Sequence, residues 1–406
     1  MATIKKRGTA YTITVSNGYD ISGKQIREYT TWTPDSGMTA KQIEKALSRE
    51  AILFEDAVRS GQIAVSGKIR LKDFCDKFMG EYAQLYLKPN TIANYKRDLT
   101  RIETALGHIK LNELKSGHIS SFYANLQECG INKHTCGVLE SSSINSIHRT
   151  LSAVLGKAVK WGYIASSPSI LAERPRQPQK EARFLDEANA KRLLTLLWDE
   201  PIKWRAAITF DLLSGLRRGE LLGLRWQDVD FKEQTISIRQ TSNYTSGKGI
   251  YTGTPKTATS KRPLHLTPSA FSLLLEYSVW QDAQRSMLGD AWRGQEGDDR
   301  IFTRDDGQPM FPTSLTQWFH KFVVRTGLPL VSVHSLRHTY ASLMLADGVP
   351  LVIVSGQLGH AKSSTTANIY GHVIASAQVK ALQTFDKFSD VVAAPPPPTE
   401  KKAAGE

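Results

Sequence analysis

His334-Ser-Leu-Arg337-His-Thr-Tyr340-Ala-Ser-Leu-Met344-Leu-Ala-Asp347-Gly348 is the stretch from which the rest of the chain can be read. Leu336, Tyr340, Leu343 and Met344 recur at helical spacing and form the core side of one helix. His334 and Arg337 stand three apart and share a face. Both can donate to one phosphate, and an arginine can do so through two parallel bonds. Asp347-Gly348 ends this helix, residues 350–358 form another, and Gly359 stops it just before His360. Thr365-Thr366 begins a last short helix that presents Tyr370. Two helices joined through Ala-Asp-Gly-Val also match a helix-turn-helix. The second is mostly apolar, Pro350-Leu-Val-Ile-Val-Ser-Gly-Gln, so it reads as buried rather than as a helix offering polar groups to a major groove.

Working outward, Tyr370 is the group that needs explaining. A phenol is a weak nucleophile, with an unperturbed pKa of about 10. It becomes useful when cations and donors surround the group it attacks. Upstream, residues 202–213 form an apolar helix that breaks at Ser214-Gly215, and Arg217 falls just after the break. Glu220, in the next turn, is placed to orient an arginine. Residues 235–239, 250–254 and 262–266 alternate like three short strands. Lys256 lies in the polar turn between the second and third, where a hairpin tip can carry a lysine into a cleft as a general acid. Each piece alone also fits a helix end or a surface charge. The ordered set of Arg217, Lys256, His334, Arg337, His360 and Tyr370 suits covalent attack on a phosphodiester.

The formal charge of +13 over 406 residues points to a polyanionic partner. Residues 1–180 carry 26 Lys and Arg against 16 Asp and Glu, so the N-terminal half is the main electrostatic grip. No run of 18 apolar residues suggests a membrane span, and no apolar leader follows Met1. The three cysteines, Cys75, Cys129 and Cys136, sit apart and match a reducing cytoplasm. Cys129, His134 and Cys136 fit no zinc spacing, so no metal site is expected.

Residues 1–66 read as two strands, 10–15 and 27–33, separated by a turn at Asn17-Gly18 and Ser22-Gly23, then a helix between Thr39 and Gly61. Lys5, Lys6 and Arg7 read as a basic arm. Residues 68–172 read as all helical: 71–86, a helix capped by Asn90-Thr91, 117–129, and a long fourth at 141–161. Thr91, Asn94, Lys96, Ser143, Asn145, His148 and Arg149 are candidate DNA contacts near helix starts, with ordinary capping as the alternative. A proline-bearing linker follows at 173–182, then a third domain at 183–388 and a disordered tail at 389–406. Val379, Leu382, Phe385 and Phe388 form an amphipathic stripe that packs on its own domain or on a neighbouring subunit.

The ordered set Gly-Leu-Arg217-x-Gly-Glu, Lys256, His334-x-Leu-Arg337-His-Thr, Leu-Gly-His360 and Tyr370 before Gly-His-Val resembles the tyrosine recombinase (phage-type integrase) family. The resemblance implies an α+β multidomain chain. An arm-type DNA-binding domain of sheet plus helix (1–66) would precede an all-helical core-binding domain (68–172). A mostly helical catalytic domain with a small antiparallel three-stranded sheet (183–388) would follow. It also implies a 3′-phosphotyrosyl intermediate on Tyr370, Arg217 and Arg337 clamping the phosphate, and His360 donating to it. His334 would assist proton transfer or hold the phosphate, and Lys256 would protonate the leaving 5′-oxygen. Double-stranded DNA attachment sites, a homotetramer, a Holliday junction, a DNA-bending protein and an excision factor come with the resemblance; a cofactor does not. A type IB topoisomerase shares the chemistry but rejoins the same strand, and a non-catalytic DNA-binding regulator is the reading from another class.

Overall fold

A computed structural model of the chain describes residues 2–19, 23–59, 69–132, 136–176, 183–254, 262–294, 297–360, 362–364, 366–367 and 369–371. Lys256, His134, Gly61, Thr365, the amphipathic stripe at 379–388, the tail and most of the linker lie outside these. The chain divides into two units, Met1–Gln179 and Lys180–Glu406.

The first unit opens with an antiparallel sheet of order β1 (Thr3–Arg7), β2 (Ala10–Tyr19) and β3 (Gln25–Trp32), followed by α1 (Ala40–Arg59). Alternation in β2 turns Ile13 and Val15 inward, and α1 meets them with Leu47, Ala51, Phe54 and Val58 at steps of three and four. Gln42 reaches back to the Thr39 backbone N–H at 2.9 Å, which fixes the start of α1.

Lys5, Lys6 and Arg7 are not a free arm; they belong to an exposed edge strand paired along its length with β2, from Thr3↔Thr14 to Arg7↔Ala10. Asn17-Gly18 is not the turn; β2 runs through it with a register shift between Ser16 and Tyr19. A bulge absorbs the one extra residue of β2 and lets the strand continue.

The helical part comprises α2 (Leu71–Phe78), α3 (Gln84–Tyr86), α4 (Pro89–Leu106), α5 (Ser116–Asn125) and α6 (Ser141–Lys160). A π-helical turn, Met79–Ala83, joins α2 to α3, so the expected helix 71–86 is continuous but locally widened. Phe74, Phe78, Leu99, Ile102, Ile119, Phe122, Ile147 and Leu151 share one core. Asn90-Thr91 does not cap α4. Pro89, which needs no N–H partner in the first turn, begins the helix and Lys88 is its N-cap.

The second unit contains α7 (Glu187–Leu196), α8 (Ile202–Ser214), α9 (Arg218–Leu221), β4 (Val229–Asp230), β5 (Thr235–Ile238), β6 (Thr241–Thr245), β7 (Gly249–Gly253) and β8 (Arg262–His265). It continues with α10 (Pro268–Leu288), α11 (Pro312–Thr326), α12 (Val333–Ala346) and α13 (Leu351–Leu358). The antiparallel three-stranded sheet has order β4-β5-β8. Its composition differs from expectation: β5 pairs directly with β8, while 249–253 pairs with β6 in a separate hairpin. The alternating pattern marks strands but cannot choose between partners. Ala206, Phe210, Leu221, Ile236, Phe302, Phe319 and Leu336 lie in the main core, and α12 packs on α8. Among the described residues no helix is long and apolar enough to cross a membrane.

Candidate active site

Gly215 ends α8 at φ +61°, a left-handed conformation that L side chains rarely adopt. A Cβ there would lie 2.4 Å from Cδ1 of Tyr340, so the ring of α12 lies against the turn. The chain then enters α9 with Arg217 as its N-cap. Glu220, 2% exposed, accepts the Arg217 side chain at 2.8 Å (Nη1 to Oε1) and its backbone N–H at 3.2 Å. The glutamate thus fixes the direction of the guanidinium. Arg218, by contrast, bonds to Thr316 at 2.6 Å.

Ser332 caps α12 through the Ser335 N–H at 3.2 Å and sets His334 and Arg337 in its first turns. Arg337 is 2% exposed. Its Nη1 donates to Gly215 O at 2.8 Å and its Nη2 to Leu358 O at 2.6 Å. Burial and then the neighbouring Arg217 bring its pKa down to about 10, so it stays cationic at neutral pH. A guanidinium has five N–H donors, and these bonds use two.

α13 ends at Gly359 with φ +63°, and His360 follows. Arg217 Nη2 reaches Gly359 O at 3.3 Å, so both arginines converge on the end of this helix. His360 Nδ1 lies 2.8 Å from the Thr366 hydroxyl. With that hydroxyl donating, Nε2 carries the ring proton and can donate. Burial first, then Arg337, Arg217 and Arg262, hold the His360 pKa down to about 4. His334 is lowered as well, by burial and then by Arg337, Arg217 and Arg218.

Tyr370 is 1% exposed and packs with Ala341, Leu345, Val354 and Leu358. Its hydroxyl lies 2.7 Å from Nδ1 of His338. Burial pushes the phenol up to about 12 and holds His338 down to about 4, so both are neutral at pH 7; with the imidazole proton on Nε2, the phenol donates this bond to Nδ1. The His334 and His338 ring centroids are 5.0 Å apart. The sequence reading missed His338, although its i, i+4 spacing from His334 was the available signal. It also missed Arg262, whose Nε donates to Gln357 O at 2.7 Å. Arg217, His334, Arg337, His360 and Tyr370 gather around the ends of α8 and α13; Lys256 falls between β7 and β8, in 255–261, outside the described residues.

The candidate DNA contacts divide. Lys5 and Arg7 share the outer face of the sheet with Thr12, while Lys6 points to the helix side with its ammonium 5.7 Å from the Tyr11 ring centre. Asn94, Lys96 and Ser143 are exposed, and Thr91 is half-buried in the first turn of α4. Asn145 and Arg149 line a pocket of about 660 Å³ with Arg174 and Arg176, two arginines that the sequence reading left in or beside the linker. His148 is committed internally: Nδ1 lies 2.9 Å from Tyr123 Oη and Nε2 3.2 Å from Ser152 Oγ. Both ring nitrogens therefore have partners within the helical part.

The phage integrase family model matches residues 183–376, and a model of the phage integrase N-terminal SAM-like domain matches residues 70–127. A tyrosine recombinase XerC-like protein of Caldanaerobacter subterraneus subsp. tengcongensis is 27% identical over 400 residues, covering 94% of this chain and 97% of that one. The fold is similar to that of the Tn1549 transposon integrase solved in complex with transposon right end DNA, with a TM-score of 0.65 at 19% identity over 79% of this chain and 99% of that chain. A lambda integrase tetramer bound to a Holliday junction gives a TM-score of 0.52 at 17% identity over 89% and 96% of the two chains.

Proposed function

Because this chain belongs to the phage integrase family of tyrosine recombinases, enzymes of site-specific DNA recombination, we propose that Tyr370 is its nucleophile and that it integrates and excises a mobile element through a 3′-phosphotyrosyl bond. Arg217 and Arg337 clamp the non-bridging oxygens, whose charge grows in the transition state. His360 adds a donor from Nε2. As Tyr370 Oη bonds to phosphorus, its proton leaves along the bond to His338, with His334 beside it. Lys256 protonates the departing 5′-oxygen. The ester retains the energy of the broken phosphodiester, and the 5′-hydroxyl of another strand reverses the attack, so the cycle needs neither ATP nor a metal.

The observation that carries this reading is the convergence of both arginines on one helix end, next to a tyrosine whose hydroxyl is bonded to an imidazole. The proposal includes a domain plan. The helical part at 68–172 grips the core duplex, with its Arg149 and the linker's Arg174 and Arg176 supplying phosphate contacts. The outer sheet face at 1–66 holds a second, arm-type DNA site. The active assembly is a homotetramer that passes through a Holliday junction, aided by a DNA-bending protein and an excision factor, in the cytoplasm. The lambda integrase tetramer supports the assembly by fold alone.

The test is exchange of labelled strands between two duplexes bearing the element's junctions, in EDTA and without ATP. Exchange by the wild type and its loss in Tyr370→Phe are expected. Relaxation of supercoils with no exchange between duplexes would overturn the integrase reading in favour of a topoisomerase.

A further inference from the structure

The carboxyl end of α13 leaves backbone carbonyls that a helix cannot satisfy itself. Ser355 O and Gly356 O are met within the turn, by the N–H groups of His360 at 3.1 Å and Gly359 at 2.9 Å. The next three carbonyls each receive a different guanidinium: Gln357 O takes Arg262 at 2.7 Å, Leu358 O takes Arg337 at 2.6 Å, and Gly359 O takes Arg217 at 3.3 Å. Two of these arginines already have a place at the phosphate. Arg262 does not, and at 9% side-chain exposure it is withdrawn from solvent.

Arg262 has a second attachment. Its Nη2 stands 3.7 Å from Oε2 of Glu220, the carboxylate that holds Arg217. Glu220 is 2% exposed and faces two cations, so removing one leaves a buried charge less well compensated. The fit around Arg262 is close: a Cβ on Gly359 would lie 2.5 Å from its Nη1. Tyr340, whose ring lies against Gly215, also reaches this end through a 2.8 Å bond to the Gln357 side chain. Arg262 is the first residue of β8, so the strand that follows the Lys256 segment is tied to the turn that carries His360.

We propose that Arg262 is a positioning residue of the recombination chemistry: by joining the end of α13 to Glu220, it holds Arg217, Arg337 and His360 in the arrangement that receives the phosphate. It touches neither the phosphate nor the tyrosine. This rests on the reading of Tyr370 as the nucleophile.

The test is single-turnover cleavage by the full chain of a nicked duplex bearing the element's own junction, with duplex affinity measured alongside. Arg262→Ala and Arg262→Gln are expected to cleave about 10- to 100-fold more slowly, the usual effect of removing a group that orients an active-site ligand. Affinity should stay within about twofold, because phosphate contacts to the duplex are intact. Arg262→Lys should regain most of the rate, and millimolar methylguanidine should raise that of Arg262→Ala at least about fivefold by refilling the guanidinium site. Cleavage within about twofold of wild type in both Arg262→Ala and Arg262→Gln would overturn the proposal. So would a loss confined to affinity, or a slow reaction that neither lysine nor methylguanidine restores. If Arg262→Ala does not fold, Arg262→Gln and Arg262→Lys decide between the same outcomes. A wild-type adduct on Tyr370 in the same experiment keeps the parent reading intact whatever the Arg262 variants do.

Discussion

Gly359 shows how much one residue can carry. Its φ of +63° strains any L side chain, and a Cβ there would push on the Arg262 guanidinium at 2.5 Å. Gly359→Ala is expected to cost about 1–3 kcal/mol of stability and to slow cleavage by at least about tenfold, measured by thermal melting and by single-turnover kinetics. Asp211 makes a different prediction. It is fully buried, neither carboxylate oxygen has a hydrogen-bond partner among the described residues, and burial holds its pKa well above the usual range despite Arg337. A carboxyl with a raised folded pKa binds its proton better in the folded state, so stability declines as pH rises above the unfolded value of about 3.9. Asp211→Asn removes that dependence. Its Tm should exceed that of the wild type at pH 7–8, by about 2–4 °C for each kcal/mol recovered, and the gain should vanish near pH 4.

At the scale of elements, the outer sheet face separates Lys5 and Arg7 from Lys6. Charge reversal of Lys5 and Arg7 together should weaken binding to arm-type DNA and reduce the slope of log affinity against log salt by about 2, whereas Lys6→Glu should change the slope by less than about 1. Filter binding over a salt series checks this, and an equal effect at Lys6 would remove the face from the account. The helices were legible because their apolar residues repeat over many turns, as in α1, α6 and α12. The glycine stops at Gly215 and Gly359 were legible for the same kind of local reason. Strand partners were not: whether residues 249–253 pair with β5 or with β6 is settled by packing distant in sequence. His338 and Arg262 escaped because their roles depend on what lies opposite them, a tyrosine 32 residues away and a carbonyl 95 residues away. The internal bonds of His148 to Tyr123 and Ser152 escaped for the same reason, since these partners lie 25 and 4 residues away on faces that composition does not fix.

At the scale of the molecule, the proposed mechanism leaves gripping to the basic N-terminal half and chemistry to the second unit. Deleting residues 1–66 should leave cleavage of a short core duplex within about threefold of the full chain while impairing integration on DNA that carries arm sites, because the proposal gives the arm site no part in the chemistry. Equal loss of both activities would count against a distinct arm role. The central claim is the covalent step itself. The full chain, incubated with a nicked duplex whose cleaved fragment diffuses away, should yield a protein–DNA adduct that survives denaturing electrophoresis. Peptide mapping should place the nucleotide on Tyr370, and Tyr370→Phe, which lacks the oxygen that forms the ester, should bind the duplex but form no adduct. An adduct on another residue, or an undiminished one in Tyr370→Phe, would contradict the account.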